Sequence, residues 1–186
     1  ISSGVRFPLS IDYQKVLELR EKYGIDEETY IIGNVANISD HKDHRVLLGA
    51  FEKFCRVVDD AKLMIVGDGP LTDEIKEFAD TLDCNDNIIF TGHRDDVYEH
   101  IALFDVFCMS SKTEGLCTSI IDALFMGKPV VATKAGGIPE LVKHRFNGFL
   151  SKVGDVDEFA ENLLEIYDDM PMEAKFSANA FHTALK

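Results

Sequence analysis

Basic residues are scarce. The chain has 19 Lys and Arg against 33 Asp and Glu, a formal net charge of −14 at pH 7. Nucleic-acid binding rests on basic patches, so that partner class is excluded. Docking of this segment on an anionic membrane is disfavoured for the same reason. Long apolar runs are missing too. None reaches the ~20 residues of a membrane span, and no signal-peptide pattern occurs. Cys55, Cys84, Cys108 and Cys117 show neither a close pairing nor a metal-ligand spacing. Reduced thiols in the cytoplasm are expected, and no metal site. There is no internal repeat, low-complexity segment, P-loop, zinc spacing or Ser/His/Asp set.

What remains is a chain of 186 residues, 46% of them apolar, enough for one core and one domain. Short apolar runs alternate with helical patterns. Strands are expected at Tyr30–Val35, Leu63–Val66, Asn87–Phe90, Asp105–Met109, Pro129–Ala132 and Gly148–Leu150. Helices are expected at Lys42–Val57, Leu71–Leu82, Asp96–Leu103, after Cys117, at Gly137–Val142, Asp155–Tyr167 and Glu173–Leu185. The last shows little apolar periodicity. This alternation predicts an α/β fold with a doubly wound parallel sheet, covered on both faces and joined by right-handed crossovers. Ligands bind at the carboxyl ends of such strands. The polar exits at 33–42, 67–70, 91–95, 110–118 and 133–138 would gather there. The chain begins at Ile1, and Ile1-Ser2-Ser3-Gly4-Val5 reads as the exit of a connector. A piece of a longer protein is expected, with residues 1–10 as linker and 171–186 as the start of terminal helices.

The densest chemistry lies between Ser110 and Thr133. A loop that leaves a strand and opens a helix presents free backbone N–H groups, an anion site. Two carboxylates flank this one, Glu114 and Asp122. They repel a phosphate but suit hydroxyls. The fitting ligand is anionic in its middle and hydroxyl-rich at both ends, as a nucleotide sugar is. An ordinary helix entry capped by Thr118 or Ser119 is the plain alternative. Asp122 stands among Ile120, Ile121, Ala123 and Leu124, where an acid needs a partner; a ribose diol would serve. Lys42, after Ser39-Asp40-His41, is either a phosphate-facing cation or a solvated lysine. His93-Arg94 either flank a nucleobase or form a plain loop. Gly136-Gly137-Ile138-Pro139-Glu140 either turns into a helix or lines the ligand edge. Gly67-Asp68-Gly69-Pro70 has Thr72 where a dinucleotide fingerprint needs its third glycine, which disfavours NAD. A tight strand exit with Pro70 opening the helix is expected instead. Asp59-Asp60, Asp95-Asp96 and Asp168-Asp169 read as solvated carboxylates.

Taken in order, these segments resemble retaining GT-B type glycosyltransferases, in family four, the glycosyl transferases group 1. The run Glu114 to Asp122 is similar to that family's E-x7-E motif. Asn34 to Phe51, Ile65 to Pro70, Ile89 to Gly92, Gly127 to Thr133, Gly136 to Glu140 and Asn147 to Leu150 fit in sequence. The resemblance spans nearly the whole chain. It implies the Rossmann-like, donor-binding C-terminal half of a two-domain enzyme, without its N-terminal acceptor domain. It implies transfer of a hexosyl unit from a nucleoside diphosphate sugar, UDP- or GDP-linked, with retention and no cofactor. Glu114 would contact the donor sugar and Asp122 the ribose. Lys42 and the backbone of Gly115, Leu116, Cys117 and Thr118 would carry the diphosphate, and His93 and Arg94 would lie by the base. Two positions depart from the pattern. Asp122 stands where the motif has glutamate, one methylene shorter. Asn37 stands where relatives often carry a phosphate-binding arginine, with Arg45 as a candidate substitute. A GT-B sugar-nucleotide epimerase and a non-catalytic interaction module remain the alternatives. Any peripheral membrane contact would fall to the missing domain.

Overall fold

A computed structural model describes residues 10–185. The linker expected over 1–10 therefore lies almost wholly outside the described residues. Six strands form one parallel sheet: β1 (Tyr30–Val35), β2 (Ala61–Val66), β3 (Ile88–Gly92), β4 (Val106–Met109), β5 (Val130–Thr133) and β6 (Gly148–Ser151). Their spatial order is β3-β2-β1-β4-β5-β6. The helices are α1 (Tyr13–Lys22), α2 (His44–Cys55), α3 (Thr72–Asp80), α4 (Val97–Leu103), α5 (Thr118–Phe125), α6 (Ile138–Leu141), α7 (Val156–Asp168) and α8 (Met170–Ala184).

The strands read as unbroken apolar runs because both faces are covered. Ile32, Leu63, Val106, Cys108, Val131 and Phe149 pack in one core with α2, α3 and α7. Their neighbours Ile31, Met64, Phe107, Met109, Val130 and Leu150 pack in a second core with α1, α4, α5 and α6. The chain winds outward from β1 in one direction and from β4 in the other, so the exits of β1 and β4 lie side by side. That switch point is where an open α/β sheet forms its crevice.

Four local expectations change. Helix α1 was not legible: Tyr13 and Leu17 are exposed and only Leu19 is buried, which breaks the apolar stripe. The helix expected from Lys42 is two pieces. A 3-10 turn covers Asp40–Lys42, Asp43 turns left-handed at φ 48°, and α2 starts at His44. Contacts distant in sequence impose this break. The Ser110 hydroxyl bonds the carbonyls of both Lys42 and Asp43 at 3.0 Å, and the Lys112 N–H donates to the His41 carbonyl at 2.7 Å. Pro70 stands two residues before α3 rather than at its start. The Thr72 hydroxyl closes the preceding turn through the Gly69 N–H and carbonyl. Finally, α8 begins at Met170, with Pro171 in its first turn, and buries Phe176 and Ala180 despite its weak pattern.

Candidate functional site

Lys42 leaves the 3-10 turn after β1, and Glu114 lies in the loop after β4. Across the switch point they form an ion pair, with Lys42 Nζ on Glu114 Oε1. Both side chains are mostly covered, at 14% and 8% exposure. The Ser111 hydroxyl donates to the same Oε1 at 2.7 Å, and Thr133 fixes the Ser111 carbonyl from β5 at 2.6 Å. The loop from β5 closes on Glu114 from the other side. The Gly137 N–H donates to the Glu114 carbonyl at 3.2 Å. A Cβ on Gly136, whose φ is +49°, would sit 1.8 Å from that carbonyl oxygen. The glycine pair is thus both a turn into α6 and a wall of the site. Gly136→Ala is expected to cost about 2 kcal/mol or more and to displace Glu114. Urea denaturation checks this; an unchanged midpoint would refute so close a backbone contact.

Beside the ion pair is a cavity of about 440 Å³, lined by Asn37, Lys42, Asp68, His93, Arg94, Thr118 and Ser119, with apolar Val35, Val66 and Val97. Its size is that of a small-molecule site. In a chain with net charge −14 this cavity gathers cations. It also holds the N-terminus of α5. The N-cap there is Cys117, not Thr118 or Ser119, and its side chain makes no capping bond. The Ile120 N–H donates to the Cys117 carbonyl at 3.2 Å, which leaves the amides of Thr118 and Ser119 facing the cavity. Cys117 itself is 3% exposed, and burial pushes its thiol up, so only its backbone belongs to the site. Gly115 and Leu116 line a second cavity of about 300 Å³ with Gly137, Glu140 and Leu141. The Lys42–Glu114 pair therefore stands between two openings.

Arg94 faces the cavity in a fixed pose, its guanidinium forked on Asp96 at 2.8 Å through Nε and Nη2. Asp96 was expected to be solvated, yet its side chain is 6% exposed and also meets Lys15 of α1 at 3.0 Å. The hydrogen bond from Arg94, with help from Lys15, holds this carboxyl well below the usual carboxylate range. His93 stays exposed, 3.5 Å from Asp95. Arg45 does not reach the cavity. It pairs with Glu74 at 2.8 Å and lies over the Phe78 ring, so it does not replace the missing arginine. Asp122 has a partner within the protein, the Tyr98 hydroxyl, at 2.7 Å. No sequence signal pointed to Tyr98, Ser110, Ser111 or Asp96, because each acts through a partner from another element.

Fold and site define a doubly wound α/β domain with a cavity at its switch point, lined by Lys42, Arg94 and the start of α5. The chain belongs to the glycosyl transferases group 1 family, whose sequence profile matches residues 15–183. It is 31% identical over 163 residues to N-acetyl-alpha-D-glucosaminyl L-malate synthase of Bacillus anthracis, covering 88% of this chain and 42% of that protein. It is 32% identical over 161 residues to a GDP-mannose-dependent alpha-(1-6)-phosphatidylinositol monomannoside mannosyltransferase of Mycobacterium tuberculosis (82% of this chain, 42% of that one). The crystal structure of Anabaena HepE in complex with UDP-glucose superposes with a TM-score of 0.84 at 28% identity, over 93% of this chain and 48% of that one. The chain thus spans less than half the length of these relatives. Among the described residues, no helix is long and apolar enough to cross a membrane.

Proposed function

We propose that this chain is the donor-binding half of a retaining glycosyltransferase that moves a hexosyl unit from a nucleoside diphosphate sugar to an acceptor. The carrying observation is the meeting of Lys42, Glu114 and the uncapped start of α5 at the switch point. In this reading Lys42 and the first-turn amides near Thr118 and Ser119 hold the diphosphate. The anomeric C–O bond breaks with its electron pair going to that diphosphate, and the same groups offset the developing charge. No cofactor is needed for that task. Glu114 accepts a hydroxyl of the hexose, and Asp122 takes the ribose. Asn37 flanks the phosphates, while His93 and Arg94 flank the base. The acceptor oxygen bonds to the anomeric carbon on the face that the leaving group vacated, which is retention, and its proton passes to the departing diphosphate. The acceptor would come from a domain outside this chain, in keeping with its share of its relatives' length. The four free cysteines support a cytoplasmic setting.

Titration with UDP, GDP and ADP, followed by amide NMR shifts, tests this. One diphosphate is expected to saturate, and Lys42→Ala to weaken it about tenfold or more, the scale of a charge-assisted contact. No saturable shift with any of the three at millimolar concentration would overturn the reading. A thermal melt of Lys42→Ala separates lost binding from lost fold.

A further inference from the structure

Asp122 is the acid that is one methylene short of the family motif. The structure supplies it with a second group. Tyr98, in the first turn of α4, donates its hydroxyl to Asp122 Oδ1 at 2.7 Å. Among the described residues Oδ2 takes no hydrogen bond, and it is not among the buried unpartnered atoms, so it stays open to the outside. Asp122 lies one turn along α5 from Thr118 and so shares its face. Thr118 lines the 440 Å³ cavity, as does Val97, the neighbour of Tyr98. Neither Asp122 nor Tyr98 lines the cavity itself; they stand one turn of α5 and one residue of α4 behind its wall, with one carboxylate oxygen tied and the other without a hydrogen bond among the described residues.

We infer that Tyr98 is a positioning residue for the ribose subsite, fixing the Asp122 carboxylate so that Oδ2 meets the nucleotide's 2′,3′-diol. The inference rests on the donor-binding reading above. A short acidic side chain between two helices has two χ angles to settle. A bond from the phenol settles them before the ligand arrives, so less ordering remains for binding. Glutamate would reach further and would not need this tie. The arrangement answers the shorter acid.

The test pairs Tyr98→Phe with a ligand change. UDP, GDP and ADP and their 2′,3′-dideoxy counterparts are titrated against the parent chain, Tyr98→Phe and Asp122→Asn. The parent is expected to prefer the ribose form about tenfold or more. Tyr98→Phe is expected to lose most of that preference, with the dideoxy ligand binding as it does to the parent. Asp122→Asn should lose it as well, and the double variant should be no worse. A merely structural role would weaken both ligands in parallel, and a retained preference in Tyr98→Phe would overturn the inference. Parent chain that binds the diphosphate but ignores the diol would overturn it too, while leaving the donor-binding reading in place. Parent chain that binds none of the diphosphates would overturn both. If Tyr98→Phe melts early, the titrations are run below its melting temperature, where loss of the diol preference is still expected and its retention overturns the inference.

Discussion

Glu114→Gln is expected to bind a bare nucleoside diphosphate more tightly than the parent, by about tenfold, while transfer by the complete enzyme falls by two or more orders of magnitude. The two effects have opposite signs because Glu114 has two relations. Without ligand its carboxylate neutralises Lys42, and the pair is mostly covered from water. A diphosphate must compete with that carboxylate for the ammonium. Glutamine keeps the shape and the bond from Ser111 but removes the competing charge, so Lys42 is released toward the phosphates. For the sugar nucleotide, in the proposed donor-binding role, the same change removes the carboxylate that accepts a hydrogen bond from a hexose hydroxyl. Calorimetric titration with UDP or GDP, beside a transfer assay, reads both. Breaking a buried pair costs about 3–5 kcal/mol of stability, so the free variant should also melt earlier. A saturating diphosphate would restore part of the loss by mass action. Glu114→Gln that binds the diphosphate more weakly than the parent would sink this account.

The second large effect is on stability against pH, and it centres on His44. This first residue of α2 is 1% exposed. Its Nε2 lies 3.1 Å from Asn34 Oδ1, Asn34 in turn donates to the Cys108 carbonyl, and the imidazole Nδ1 has no hydrogen-bond partner among the described residues. Burial, with Lys42 nearby, lowers the imidazole from 6.5 to about 4. Between these values the unfolded chain holds a proton that the folded chain excludes. The contribution is fully present above pH 6.5 and is lost as pH falls toward 4, about 3 kcal/mol in all. His100, also buried, shifts in the same direction. Burial raises Asp43, Asp105, Asp122 and Glu173, which act oppositely near the acid end. They cancel when the parent is compared with His44→Gln. Urea midpoints from pH 4 to 7 should therefore show a shallower slope for the variant. Parallel curves would mean that His44 is not held neutral.

Much of this was legible from residue order. The six strands fall where continuous apolar runs predicted them, because burial on both faces leaves no room for polar alternation. Gly136-Gly137 and the Glu114–Asp122 run marked the ligand edge for a similarly local reason: strand exits need turn residues and open amides. Lys42 and Asp122 stand out in the sequence, but their partners in the fold do not. A lysine at a helix start and a lysine at the end of a 3-10 turn have the same neighbours in sequence. The Ser110 hydroxyl and the Lys112 N–H, from the loop after β4, select the second.

The sequence by itself determined the alternation of elements, the two-sided core and which polar residues stand at the strand exits. These follow from periodicities and turn chemistry that act over a few residues. Tertiary structure alone decided which charges meet. Lys42 and Glu114 are 72 positions apart, and Tyr98 and Asp122 are 24 apart. No local period links them. Lys42 and Glu114 are joined because the sheet reverses its direction of winding between β1 and β4, which sets two loop exits side by side, and Tyr98 and Asp122 because α4 and α5 cover the same face of the sheet. The same reversal decides that Arg94 faces the cavity while Arg45 does not.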